Sequence, residues 1–270
     1  MKTFLFELCG ESLEAAKVGE AGGADRIELC AELRIGGVTP DFELARAVVE
    51  AISIPVYVLI RPRGGDFVYS AAECDFMRRQ IEQARAAGAR GVVLGILRAD
   101  GRVDVERTRA LIEQARPMAV TFHRAFDETR DLSEALEAVI EAGADCLLTS
   151  GGAPDVLSGS ETIARLARQA GKRIQVMAGG GLALGVVAEV MRQSGATHLH
   201  GSLIRKNEEQ KPAAGATVLE CDVREAVRLM REAASAQVPS PLADSVFPEG
   251  SLLSHPSRKN NNAARVGHPG

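Results

Sequence analysis

Short apolar runs alternate with longer amphipathic stretches along most of this chain. The apolar runs are predicted strands at Thr3–Cys9, Asp25–Cys30, Val56–Arg61, Gly91–Ile96, Ala119–His123, Cys146–Thr149, Arg173–Ala178 and Thr197–Ser202. Between them the apolar positions recur at helical spacing. The predicted helices are Ser12–Ala21, Phe42–Ala51, Ala71–Ala87, Val105–Ala115, Ser133–Ala142, Gly159–Ala170, Leu182–Ser194 and Asp222–Ala236, the last opening on Asp222 as an N-cap. An internal repeat sharpens the pattern. Gly23-Ala-Asp25, Gly88-Ala-Arg90, Gly143-Ala-Asp145 and Gly195-Ala-Thr197 each stop a helical stretch just before an apolar strand, and Gly171 does the same before Arg173. Strands alternating with helices imply right-handed βαβ units on a parallel sheet. Eight such units predict a closed (β/α)8 TIM barrel. The alternative is an open doubly wound sheet, but the first strand–helix turn, Cys9-Gly10-Glu11-Ser12, lacks the glycine fingerprint of a dinucleotide fold. No nucleotide cofactor is therefore expected. The barrel is assigned to residues 1–236. Residues 207–216 are polar and read as a loop. The segment 237–270, rich in Pro, Ser, Asn and Gly, reads as a disordered tail.

Composition narrows the class. The 270 residues are 46% hydrophobic and 25% charged, with a net charge of −4 and an isoelectric point near 5.8. That balance, with no Trp and two Tyr, disfavours a nucleic-acid binder. The longest apolar run, Ile54–Ile60, is far short of a membrane span. No signal peptide is recognisable, so a cytoplasmic location is expected. The five cysteines, Cys9, Cys30, Cys74, Cys146 and Cys221, show no Cys-x-x-Cys spacing and imply neither a disulfide framework nor a zinc ribbon.

Candidate chemistry gathers at the C-terminal strand ends, where barrels of this kind place their sites. The first two strands end in the same triplet, Glu7-Leu-Cys9 and Glu28-Leu-Cys30, which reads either as two carboxylates and two thiols at the mouth or as two small buried cysteines with glutamates paired to arginines. The third leads into Arg61-Pro-Arg63-Gly-Gly-Asp66; Arg61 can neutralise Glu28 or, with Arg63, grip an anion. The fifth ends in His123, a general acid–base candidate that Asp127 can orient or that leaves Asp127 to cap the next helix. Ser150 and Gly151, then Gly180 and Gly181, then Gly201 and Ser202, form turns suited to cradling phosphate through backbone N–H groups. His198 and His200 share one strand face and form a His-x-His pair that can ligate zinc, with His123 and a Glu completing the set. Together these residues are consistent with an enzyme for a small phosphorylated or carboxylated metabolite.

Glu7-Leu-Cys9, Gly23-Ala-Asp-Arg-Ile-Glu-Leu-Cys30, Gly36-Gly-Val-Thr-Pro40, Arg61–Ser70, Thr121-Phe-His-Arg-Ala-Phe-Asp127, Leu148-Thr-Ser-Gly151 and Met177-Ala-Gly-Gly-Gly181 together resemble the CutC family. The resemblance runs from residue 1 to about 236. It implies a TIM barrel in the cytoplasm, a role in copper homeostasis, and a homodimer or homotetramer. It also implies Cu(I) ligation by cysteines near the mouth, which here are Cys9 and Cys30. Some relatives carry a second cysteine directly after the first; this chain has Gly10 there. Soft thiolates suit Cu(I). Barrel shear staggers neighbouring strands, however, so equal places in the repeat need not sit at equal heights.

Overall fold

The computed structural model describes residues 4–204 and 218–237. The expected loop at 207–216 and the tail from 238 onward lie outside them. Eight parallel strands close into a barrel in chain order. They are β1 (Leu5–Gly10), β2 (Arg26–Leu29), β3 (Val56–Leu59), β4 (Gly91–Leu94), β5 (Ala119–Phe122), β6 (Cys146–Thr149), β7 (Gln175–Gly179) and β8 (His198–Gly201). Eight helices follow them: α1 (Leu13–Gly22), α2 (Phe42–Ala51), α3 (Ala71–Ala86), α4 (Val105–Ala115), α5 (Leu132–Ala142), α6 (Ser160–Ala170), α7 (Val187–Ser194) and α8 (Glu220–Gln237). The closed barrel replaces the open-sheet alternative. Most boundaries shift by one or two residues from the sequence reading, and the start of α7 shifts further. α7 starts at Val187, because residues 184–186 form a 3-10 turn. Asp222 lies inside α8 rather than at its N-cap.

Local signals explain the elements. Asp41 and Asp131 cap α2 and α5 by accepting from the second and third amides beyond them. The repeated glycines at 23 and 143 take left-handed backbone at the ends of α1 and α5, with φ of 91° and 92°. The outward strand residues, such as Phe6, Leu8, Ile27, Leu29, Val58 and Phe122, join the helices in one continuous apolar layer. The inward faces are different. Among the described residues only two small apolar clusters sit there, Cys9–Cys30–Leu59–Val93 and Cys146–Leu148–Met177. Polar side chains occupy the space between them.

The pairing register fixes which of these meet. Glu7 sits opposite Arg26 on β2 and opposite His200 on β8. Cys9, not Cys30, sits opposite Glu28. Following the pairing once around the barrel returns to β1 eight residues from the start, the shear expected of a TIM barrel. Two identical triplets on neighbouring strands are thereby offset by one pleat. Their glutamates lie in different surroundings.

Candidate functional site

A cavity of about 710 Å³ opens at the C-terminal mouth of the barrel. Cys9, Glu28, Cys30, Arg61, His123 and Asp127 line it. The turns at Gly180, Gly181, Gly201 and Ser202 complete its rim, joined by His200. Three other residues expected there are placed elsewhere. Arg63 turns away to Glu73, Asp66 and the carbonyl oxygens of residues 66 and 68, so it ties the β3–α3 loop to the capping box of α3. Ser150 is buried behind the rim: its hydroxyl donates to the Ala153 carbonyl and lies 3.0 Å from Asp127. Gly151 is buried and does not line the cavity.

The floor is a charged network. Glu7 is fully buried and forms an ion pair with Arg26 Nε through Oε2; its Oε1 lies 2.8 Å from His200 Nδ1. The Arg26 guanidinium also stacks 4.1 Å from the Tyr57 ring centre. Burial alone would raise the Glu7 carboxyl, but Arg26 and His200 outweigh it and hold the carboxylate at about 2. Glu7 therefore lies beneath the cavity as a permanent anion, and the paired-carboxylate expectation gives way to two unlike groups. Glu28 lies above it, with Oε2 buried and 3.9 Å from His200 Nδ1. Burial pushes Glu28 up to about 7, against the pull of His200. Burial disfavours a charged His200, yet Glu28, Cys9 and Glu7 around it raise its pKa well above the usual range.

The thiols converge despite the stagger. Cys9 Sγ lies 3.5 Å from Cys30 Sγ and 3.7 Å from Glu28 Oε1. The contact with Cys30, together with burial, keeps the Cys9 thiol protonated to well above its usual pKa. Donor atoms of Cys9, Glu28 and His200 all lie within 4.8 Å of one another. Among the described residues, this metal-capable group takes in His200 but neither His198 nor His123. The His-x-His pair is thus split: His198 Nδ1 pairs with Thr197 Oγ1 instead.

His123 is a hydrogen-bonding group rather than a near-neutral acid or base. Its Nδ1 accepts the Ala125 N–H at 3.2 Å, which places the ring proton on Nε2. Burial, with Arg61 and Arg124 nearby, pushes its pKa down to about 3. Asp127 does not orient it. That carboxylate takes the amides of Ser150 and Gly152, the Thr149 hydroxyl, and Arg124 Nε at 2.9 Å. Arg26, Arg124 and the floor role of His200 were not anticipated. A basic residue inside a buried strand, as in Asp25-Arg26-Ile27-Glu28, was the available signal for the first.

The floor network makes stability depend on pH in a definite direction. Glu28 and His200 bind protons more tightly folded than unfolded. Their contribution is complete below the unfolded carboxyl value of about 4.3 and is lost as pH rises through 7 and beyond. Glu7 works in the opposite sense, and its contribution is lost as pH falls towards 2. The metal-free chain should therefore melt higher at about pH 5.5 than at about pH 8, and Glu28→Gln should shrink that difference. Thermal unfolding at the two pH values checks it; a melting point that is flat or higher at the alkaline value overturns it.

Comparison with known proteins places this architecture. The profile of the CutC family matches residues 4–205. A "family protein CutC" of Chromobacterium violaceum is 47% identical over 198 residues, covering 73% of this chain and 80% of that protein. The "Copper homeostasis protein cutC homolog" of Homo sapiens is 46% identical over 199 residues, covering 74% of this chain and 73% of that one. The solved structure of CutC from Streptococcus agalactiae superposes with a TM-score of 0.70 at 29% identity, covering 74% of this chain and 98% of that one. No described helix is long and apolar enough to cross a membrane.

Proposed function

The chain belongs to the CutC family, and on that premise we propose that it serves copper homeostasis as a barrel that binds Cu(I) at the floor of its mouth. The observation that carries this reading is the approach of Cys9 Sγ and Cys30 Sγ to 3.5 Å, with His200 beside Cys9. Thiolates and imidazole are the donors that soft Cu(I) prefers. Metal–sulfur bonds of about 2.3 Å span at most about 4.6 Å, so the thiols need open by only about an ångström for a two-sulfur site. Glu7 on His200 Nδ1 leaves Nε2 for an ion, as a carboxylate behind a ligating histidine does. Gly10 leaves this site without a third thiol, and His200 takes the place of one. Both thiols and the His200 imidazolium must lose protons on binding, so affinity falls as pH falls. A reduced thiol pair requires a reducing compartment, which favours the cytoplasm. The expected homodimer or homotetramer rests on the family resemblance.

An anaerobic Cu(I) titration against a competing chelator tests the reading. The wild type should bind one Cu(I) per chain, and Cys9→Ser with Cys30→Ser should weaken it by at least about a hundredfold, since two of three soft donors become hard ones. Affinity indifferent to both cysteines would sink it.

A further inference from the structure

A cavity of about 710 Å³ is far larger than one ion needs and is of the size that holds a small organic molecule. Part of its wall is formed just past the ends of β3 and β5. Two features of that wall point to a ligand. The first is Arg61, only 5% exposed. Its Nη1 donates to the Ile35 and Gly37 carbonyls and its Nη2 to the Gly65 carbonyl. No carboxylate among the described residues pairs with it, whereas Asp66, Asp127 and Glu28 have Arg63, Arg124 and His200 as their own cations. A buried guanidinium neutralised by nothing is costly unless an anion joins it. The second is His123, also 5% exposed. The Ala125 amide occupies its Nδ1, so its Nε2 carries the proton, and that buried Nε2 has no hydrogen-bond partner. An unpaired buried donor requires an acceptor. Phe67 contacts both, with its ring centre 4.7 Å from the guanidinium carbon and 4.9 Å from the imidazole centre. Arg124 adds a second cation at the rim, where its guanidinium rests against Gly180; a Cβ there would come within 2.9 Å of Arg124 Cζ.

We propose that the mouth cavity binds a small organic anion, a carboxylate or a phosphate monoester, whose oxygens accept from His123 Nε2–H and neutralise Arg61, with Arg124 at the rim. The anion and the thiol site share one cavity but not one set of residues. Loss of one therefore need not abolish the other.

The test uses the full-length, metal-free chain at constant ionic strength, titrated with inorganic phosphate and separately with acetate. The His123 Nε2–H proton is followed by NMR on the labelled wild type, and affinities are compared with two variants. Arg61→Met removes the charge and keeps the stem. His123→Asn keeps an acceptor for the Ala125 amide and deletes the Nε2 donor. Saturable binding of at least one probe is expected, with a shifted His123 signal and affinity at least tenfold weaker in each folded variant. Preference for phosphate assigns the phosphate-ester class, and preference for acetate the carboxylate class. If Arg61→Met does not fold, the wild-type signal and His123→Asn decide. No saturation by either probe, an unmoved His123 proton, or affinity unchanged in the variants overturns the proposal.

Discussion

Arg26→Met is expected to destabilise the chain by about 3–5 kcal/mol, the range for removing one partner of a buried ion pair. For a barrel of this size that is a fall in melting temperature of about 6–20 °C. The reason is what it leaves behind. Glu7 is fully buried, and its low pKa shows that its neighbours, chiefly Arg26, hold it charged. Without the guanidinium it faces only His200, which is shared with Glu28. The carboxyl must then either stay charged without its main partner or take up a proton. The lost stacking on Tyr57 and the contact with Met177 add to the cost. A double-mutant cycle separates charge from packing. Glu7→Leu combined with Arg26→Met removes both charges and should recover a large part of the loss, because hydrophobic replacement of a buried pair is often close to neutral. A single-variant loss under about 1 kcal/mol, or a double variant as unstable as the singles added, would show that the pair is not what holds the floor.

The architecture was legible because a barrel obeys local rules. Helical spacing ended by Gly-Ala, then an apolar run, is a signal confined to a few residues, and the eight strands and helices follow from it. The strand-end rule also found much of the mouth: Cys9, Glu28, Cys30, Arg61, His123 and Gly180 all line it. What failed depends on the third dimension. The twin Glu-Leu-Cys triplets suggested a symmetric pair of carboxylates, but shear offsets the strands, so Glu7 meets Arg26 while Glu28 meets Cys9. The same cause hid His200, which reaches Glu7 only because the last strand closes on the first. The partners of Arg63 and Asp127 are hidden for another reason. Both are charged residues beside a site, and their partners, Glu73 for one and the amides after β6 for the other, are set by loop conformation rather than spacing. The proton state of His123 was equally out of reach, since burial and two arginines decide it.

Gly159→Ala should be the most damaging small substitution at the mouth. Its backbone is not the obstacle: with φ of −91° and ψ of 0° it is open to residues other than glycine. The obstacle is contact. A Cβ there would lie 1.7 Å from the Ser150 carbonyl oxygen and 2.8 Å from its carbon. Backbone, not a flexible side-chain end, must move. The start of α6 and the turn after β6 touch chain to chain, and Gly151 shows the same closeness from the other side, where a Cβ would meet the Gly159 oxygen at 2.5 Å. Displacing Ser150 also disturbs what it anchors, since its amide binds Asp127 and its hydroxyl accepts from Arg124 Nη2. The strain reaches the rim of the cavity through Arg124. Overpacking a filled site costs typically about 1–3 kcal/mol and sometimes more; a clash with fixed backbone on both sides puts this one at about 3 kcal/mol or above. Gly185→Ala is the matched control, because a Cβ there meets nothing within 4 Å, and it should stay within about 0.5 kcal/mol of wild type. Chemical denaturation of the two variants compares them directly. If Gly159→Ala proves as harmless as the control, the two backbone segments separate freely, and the rim is not braced in the way these contacts require.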